Sequence, residues 1–323
     1  GNLASYPGPA VTRAHQAQLN YIHAFTPNVL VELKAGYTLL DNAQYPLNFG
    51  KAINTAMGQP NMNVDSRTAE LSAVTINQGT STTLGNRPPI IYHENTFQYE
   101  GTVSYIRGKQ SIKLGAGVIR RQDSVTQTDT ANGNWSFSDF STLLSGDYIN
   151  GGRNKILYTP HNRTWEPHVF FQDDVHLTSR LTLNLGVRYD LFTPYTEINN
   201  ILSNFDTGLG RIVIANQDGI DGHGNIRTDY SNFAPRFGFA YTPIDKTVIR
   251  GGFGMTYAPE NTTSGSALVN QPFTATWGAY TPTQAQNAAI ANLGYTPAEA
   301  ALFLKFAGGL PTPNPNSATN PSG

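Results

Sequence analysis

The sequence predicts an all-β chain, the wall of an antiparallel transmembrane β-barrel, open as it stands and built of eight to ten strands. Three observations predict it. Apolar and polar residues alternate with period 2 in one segment after another. Very short turns alternate with long connections. Only 13% of the 323 residues are charged while 11% are aromatic, against about 25% charged in a soluble domain. Period 2 marks a strand with one apolar and one wet face.

Four hairpins follow in order, over about 11–40, 96–121, 165–192 and 234–257, within one unit covering 1–257. In the first, Leu19, Tyr21 and Phe25 oppose Gln18 and Asn20, with His23 and Ile22 as breaks. Val29, Val31, Leu33, Ala35, Tyr37 and Leu39 then oppose Glu32, Lys34, Gly36 and Thr38. In the second, Phe97, Tyr99, Val103 and Tyr105 oppose Gln98, Glu100, Thr102 and Ser104. Ile112, Leu114, Ala116 and Val118 oppose Ser111, Lys113, Gly115 and Gly117. The third is the cleanest: Leu181, Leu183, Leu185, Val187, Tyr189 and Leu191 lie on one side of Arg180–Phe192, and Thr182, Asn184, Gly186, Arg188 and Asp190 on the other. In the fourth, Phe237, Phe239 and Tyr241 oppose Arg236, Gly238 and Ala240. Ile249, Phe253, Met255 and Tyr257 oppose Arg250, Gly252, Gly254 and Thr256.

Arg180–Phe192 spans roughly 43 Å fully extended, or about 30 Å tilted near 45°, which matches a bilayer core. Aromatic residues gather towards strand ends, as in the interfacial girdles of barrels. The short turns fall at Thr26-Pro27-Asn28, Arg107-Gly108-Lys109, Leu177–Arg180 and Pro243–Lys246. Between hairpins lie Asp41–Asn95, Gln122–Arg163 and Thr193–Asn232, expected as long extracellular loops opposite short periplasmic turns. The lipid-facing candidates are therefore Leu181, Leu183, Leu185, Val187 and Tyr189. The lumen-facing candidates are Arg188, Asp190, Arg236 and Arg250, which would line a lumen, pair with a plug, or simply be solvated. Past Ala258, residues 258–323 read as a loop-like tail. It carries a helix over Thr283–Leu293 and a capping box Thr296-Pro297-Ala298-Glu299 opening a second, with Gly308-Gly309 as the stop.

Composition excludes several functions. A net charge of −1 leaves no basic surface for nucleic acid. With no cysteine there are no disulfides or thiolate metal sites. No apolar run is long enough for a transmembrane helix. The mean hydropathy of −0.34 does not argue against a barrel, whose strands average out. Gly1 is not preceded by Met, and the end from Pro311 is rich in Pro, Asn and Ser, so both ends are expected to be cuts from a longer chain.

Candidate chemistry is sparse. His168, Asp174 and His176 share a strand face and Asp173 points away, but ligands spread along a strand do not make a compact metal site. A wet interior face accounts for them better. Asp218–Asn225 lacks the spacing of a calcium loop and reads as a Gly-rich loop. Gly251-Gly252-Phe253-Gly254 lacks the Lys and helix of a phosphate loop and reads as relief of crowding inside the wall or as a bulge. No nucleophile elbow or triad is present, so neither an enzyme nor a cofactor is expected.

Phe170-Phe171-Gln172-Asp173-Asp174, Leu181-Thr182-Leu183-Asn184-Leu185-Gly186-Val187-Arg188-Tyr189-Asp190, Asn232–Tyr241 and Thr247–Gly254 together resemble the barrel of TonB-dependent receptors. Leu202-Ser203-Asn204-Phe205-Asp206 is similar to the Oar-like branch, which carries a carboxypeptidase-regulatory-like domain. The resemblance covers about Asn95–Tyr257. It implies a 22-strand barrel in the outer membrane of a Gram-negative bacterium, filled by a plug domain. Uptake of a substrate (an oligosaccharide, peptide or metal chelate) would be energised through the TonB complex. The plug, the TonB box and a C-terminal aromatic strand have no counterpart here. The competing readings are a structural or adhesive outer-membrane barrel, an outer-membrane enzyme, and a secreted β-sandwich.

Overall fold

The computed structural model describes residues 8–79, 81–85, 88–127, 130–156, 159–259, 270 and 272–311; the chain start at Gly1 and the Pro-, Asn- and Ser-rich end past Pro311 lie outside them. Eight long strands form the wall: β1 Ala10–Thr26, β2 Val29–Gln44, β3 Ile90–Arg107, β4 Gln110–Thr126, β5 His161–Thr178, β6 Leu181–Asp190, β7 Phe233–Ile244 and β8 Thr247–Gly254. They pair antiparallel in strict chain order from β1 to β8, and a short strand, Thr196–Glu197, pairs with the upper part of β5. The sheet is open, with β1 and β8 as its edges.

The hairpins close through two-residue turns at one end of the sheet. Gly108 and Lys246 adopt φ of 59° and 65° there, the left-handed backbone that such tight turns require. The three long excursions, residues 45–89, 127–160 and 191–232, leave from the other end. The first two are shorter than the alternation alone predicts, because the strands run on past it. Asp41 sits on the otherwise apolar face of β2, bonded to His93 of β3. A strand that has left the apolar layer no longer needs an apolar face, so its pattern fades before its hydrogen bonding does.

The wall is inverted relative to a soluble domain. Leu19, Leu33, Tyr99, Leu114, Val169, Phe171, Phe237 and Phe253 share its apolar face and are exposed, whereas Thr96, Thr102, Thr164, Glu166, His168 and Asp190 on the polar face are buried. Glycines on the polar face make room for larger partners. A Cβ at Gly115 would stand 2.4 Å from the Phe170 ring, and one at Gly117 would stand 2.7 Å from His168 Nε2. Gly251 is different: it lies on the apolar face under Phe239, 2.7 Å from where its Cβ would be. Crowding is relieved there on the outer side of the wall.

The long excursions are folded. Thr274–Tyr280, Asn150–Ile156, Asn134–Phe137, Ala73–Ile76 and Thr82–Leu84 form a second sheet in that order, drawn from two excursions and the stretch past residue 258. Met62, Val74, Trp135, Phe137, Tyr148 and Leu310 make its core. The Trp135 ring meets Tyr148 edge-on at 4.8 Å and Phe306 at 5.0 Å. Arg153 is buried in this cap and has no carboxylate bonded to it among the described residues. Its Nη1 donates to the carbonyls of Asn61 (2.6 Å) and Leu310 (3.4 Å), joining three remote segments. Burial pushes its guanidinium down to about 10. Helices over Pro282–Leu293 and Pro297–Ala300 are each opened by a capping box, Thr281 with Gln284 and Thr296 with Glu299. Both boxes carry the same Thr-Pro start.

Candidate functional site

The polar face of the wall is the candidate site. Strand register decides which side chains meet on it. At one level, Lys34 of β2 stands opposite Glu100 of β3, Glu100 opposite Gly117 of β4, Gly117 opposite His168 of β5, and His168 opposite Asp190 of β6. The missing side chain at Gly117 lets the His168 ring cross its strand, and Nε2 comes within 3.7 Å of Glu100 Oε2. Nearer the long excursions, Arg121 Nε donates to Glu166 Oε1 at 2.7 Å and Nη1 reaches Glu94 at 3.5 Å. Nearer the turns, Asn184 Nδ2 donates to Asp174 Oδ1 at 2.6 Å, and Gln172 donates to the same carboxylate at 3.2 and 3.3 Å.

Arg188 and Asp190 lie on this face and pair along β6: Arg188 Nε is 2.9 and 3.0 Å from the two Asp190 oxygens, and Nη2 is 2.8 Å away. Arg236 stands opposite Gly186, and Arg250 opposite Ala240, both on the same face. Neither makes a hydrogen bond or ion pair among the described residues, and neither does Lys113. Lys113, Arg188 and Arg236 converge with Phe170, Gln172 and Asn184 on a cavity of 370 Å³. The arrangement therefore splits in two. The part towards β2–β5 carries most of the acids of this face, Glu32, Glu94, Glu100, Asp123, Glu166 and Asp174 against Lys34, Lys113 and Arg121, and on β6–β8 Arg188 is paired with Asp190 while Arg236 and Arg250 have no bonded acid among the described residues. A low-dielectric wall around uncompensated cations favours acidic groups in front of it.

Leu181, Leu183, Leu185, Val187 and Tyr189 occupy the opposite face. Leu183 stands between Val175 and Phe239, Val187 between Phe171 and Pro235, and the Tyr189 ring is 4.7 Å from Phe233. Asp173 also lies on that face, between Ile112 and Leu185, with Gln110 Nε2 donating to Oδ2 at 3.1 Å. Asp174, His168 and His176 are on the polar side but do not come together: His176 Nδ1 contacts Thr182 Oγ1 at 3.0 Å. Among the described residues no group of three or more acidic or histidine side chains could hold a metal ion. Asp221 folds its own loop, accepting from the N–H groups of His223 (2.8 Å) and Asn225 (3.0 Å).

A sheet whose apolar face is exposed and whose polar face is buried is a transmembrane β-barrel wall. The chain belongs to the family described as the outer membrane beta barrel domain, whose model matches residues 1–323, and its place is the outer membrane. No curated protein matches the sequence. Among solved structures it is similar to the ferric-catecholate import receptor Fiu from E. coli K12. The open form gives 11% identity and a TM-score of 0.44 over 77% of this chain and 36% of that one. The closed form gives 13% identity and a TM-score of 0.41 over 76% and 33%. The chain thus spans about a third of the length of these receptors.

Proposed function

We propose that this chain is part of the barrel wall of a TonB-dependent, Oar-like receptor that takes up a substrate across the outer membrane of a Gram-negative bacterium. The observation that carries the reading is the polar face, which offers Lys113, Arg236 and Arg250, without bonded acids among the described residues, beside the Arg188–Asp190 pair. A plug with acidic side chains facing these cations would neutralise them. The residue resemblance over Asn95–Tyr257 supports the same reading. In it, Leu181, Leu183, Leu185, Val187 and Tyr189 face lipid, Arg188, Asp190, Arg236 and Arg250 face the lumen, and the two-residue turns lie on the periplasmic side. The edges β1 and β8 support it too. Unpaired backbone groups are intolerable in hydrocarbon, so further strands must close the barrel, with the plug inside and the TonB complex below. This chain's part is passive: it seats the receptor in lipid and frames the path.

The test is charge reversal in cells carrying the full-length protein. Arg236→Glu together with Arg250→Glu should unseat the plug and make cells sensitive to large hydrophilic antibiotics, while the protein still reaches the outer membrane. Unchanged resistance would remove the plug seat. Loss of uptake on deleting the energy-coupling protein separates a transporter from the second reading, a structural or adhesive barrel. That reading draws on the folded cap, whose Phe140 and Leu144 are exposed.

A further inference from the structure

A second cavity, of 560 Å³, opens where the polar face meets the 191–232 excursion. Its floor is β5, through Thr164 and Glu166, and its walls carry Phe192, Tyr195, Asn204, Arg227 and Asp229. The excursion is bonded firmly onto the wall here. Leu191 N–H donates to the Pro167 carbonyl (2.9 Å), Thr193 N–H to the Trp165 carbonyl (3.1 Å), and Thr164 Oγ1 to the Thr193 carbonyl (2.7 Å). The cavity is thus preformed, and its volume lies in the range of small-molecule sites, about 300–1,000 Å³.

Its chemistry narrows the occupant. Glu166 is already neutralised by Arg121, and Arg227 and Asp229 offset each other, so the lining has no net charge with which to hold an anionic chelate. Several hydrogen-bonding groups remain open. Asp229 uses Oδ1 for the N–H and hydroxyl of Ser231, at 2.8 and 2.7 Å, and its Oδ2 has no hydrogen-bond partner among the described residues. Those two bonds hold its carboxyl below the usual range, so it is ionised. Asn204 spends Nδ2 on the Gly224 carbonyl at 3.3 Å, which leaves Oδ1. The Arg227 guanidinium makes no hydrogen bond among the described residues. A carboxylate, an amide oxygen and a guanidinium fork, set beside two aromatic side chains, suit vicinal hydroxyls, each both donor and acceptor, on a ring with an apolar C–H face. A peptide would instead need its backbone paired along a strand edge, and the upper edge of β5 beside this cavity is already taken by Thr196–Glu197.

We infer that this mouth binds a neutral oligosaccharide, through Asp229, Arg227 and Asn204 on hydroxyls and Tyr195 and Phe192 on the ring face. The inference rests on the uptake reading for its purpose, but binding is measurable without transport.

The experiment is calorimetric titration of the purified protein in detergent with cellotetraose, maltotetraose, mannotetraose, xylotetraose and, as controls, a neutral tetrapeptide and a ferric trihydroxamate. Binding of at least one sugar is expected, with a loss of about tenfold in Asp229→Asn and Tyr195→Ala and no change in Lys51→Gln, an exposed position that does not line the cavity. The heat-modified shift on electrophoresis reports that each variant is folded; Arg227→Gln, at an exposed position, is the reserve variant. No sugar bound, sugar binding indifferent to these substitutions, or binding of the peptide or the chelate alone would each overturn the site. If sugars bind but cells take none up, the site stands and the uptake reading falls.

Discussion

The wall and the cap are made from one chain and obey opposite rules. In the wall, Leu33 and Leu114 are exposed while Thr102 and His168 are buried. In the cap, Trp135, Phe137 and Met62 are fully buried around one core. The difference teaches where the water is. A cap surrounded by water is held by apolar burial, at roughly 25 cal/mol per Å². A wall whose apolar side meets lipid gains nothing from hiding leucine there and depends on its backbone ladder and polar network. A buried cation of the cap shows the cost of crossing the rules: among the described residues Arg153 has carbonyl partners but no bonded carboxylate, and its Nε has no partner.

That comparison can be broken most severely in the cap. Trp135→Ala should cost about 3–5 kcal/mol, exposing residues 130–156 to protease while the wall keeps its heat-modified band. If the wall melts as well, the two regions are not independent. Next in size is Leu185→Arg, expected to cost about 2–4 kcal/mol at mid-membrane and to lower the amount assembled in the outer membrane. Asn184→Arg, one residue away, should be tolerated beside Asp174. Equal damage from the two would contradict the facing.

A smaller effect is expected on the polar side. Gly115→Ala pushes a methyl into the Phe170 ring and should cost about 1–3 kcal/mol, read as a lower midpoint of thermal unfolding in detergent. Gly186→Ala, whose nearest neighbour would be 3.3 Å away, should cost less. A reversed order would mean that the ring moves freely.

The smallest effect is one of pH and belongs to the cap. The Thr142 N–H holds Asp139 below its ordinary 3.8, and Lys305 does the same for Asp147. With both folded values lowered, their stabilisation is complete above 3.8 and is lost as pH falls through the lowered values. The near-ultraviolet circular dichroism of the cap's Trp135 cluster should therefore weaken on acidification below 3.8, with the Asp147→Asn variant less sensitive. No such change down to pH 2 would remove both groups from the account.

Much of the wall was legible because a strand writes its two faces into alternate residues. Thr182 through Asp190 and Leu181 through Tyr189 separate into two faces in the sequence as they do in the fold. Two kinds of feature were not legible. The strand tops, Asp41–Gln44 and Ile90–Asn95, lose alternation once they pass the apolar layer, so their pairing is invisible in the pattern. The cap sheet is written in pieces as short as Thr82–Leu84, and its neighbours are far apart in the chain. Thr274 pairs with Ile156, and Ala73 runs parallel to Asn134. Neither period nor turn chemistry encodes such pairings. The cavity mouth was hidden for the same reason: Glu166, Asn204 and Asp229 are drawn together only by the return of the 191–232 excursion.

The sequence by itself determined an all-β chain, its hairpin pairs and the division of each long strand into an apolar and a polar face. These are local properties, set by backbone geometry over a few residues. Only the tertiary structure decided that the long connections fold into a cap around Trp135. It also decided that Gly117 opens a slot for His168, that Arg236 and Arg250 stand without bonded acids among the described residues, and that a charge-balanced cavity forms above Glu166. Those features depend on register between strands and on contacts across long stretches of chain, where the energy of meeting is carried by neither partner alone.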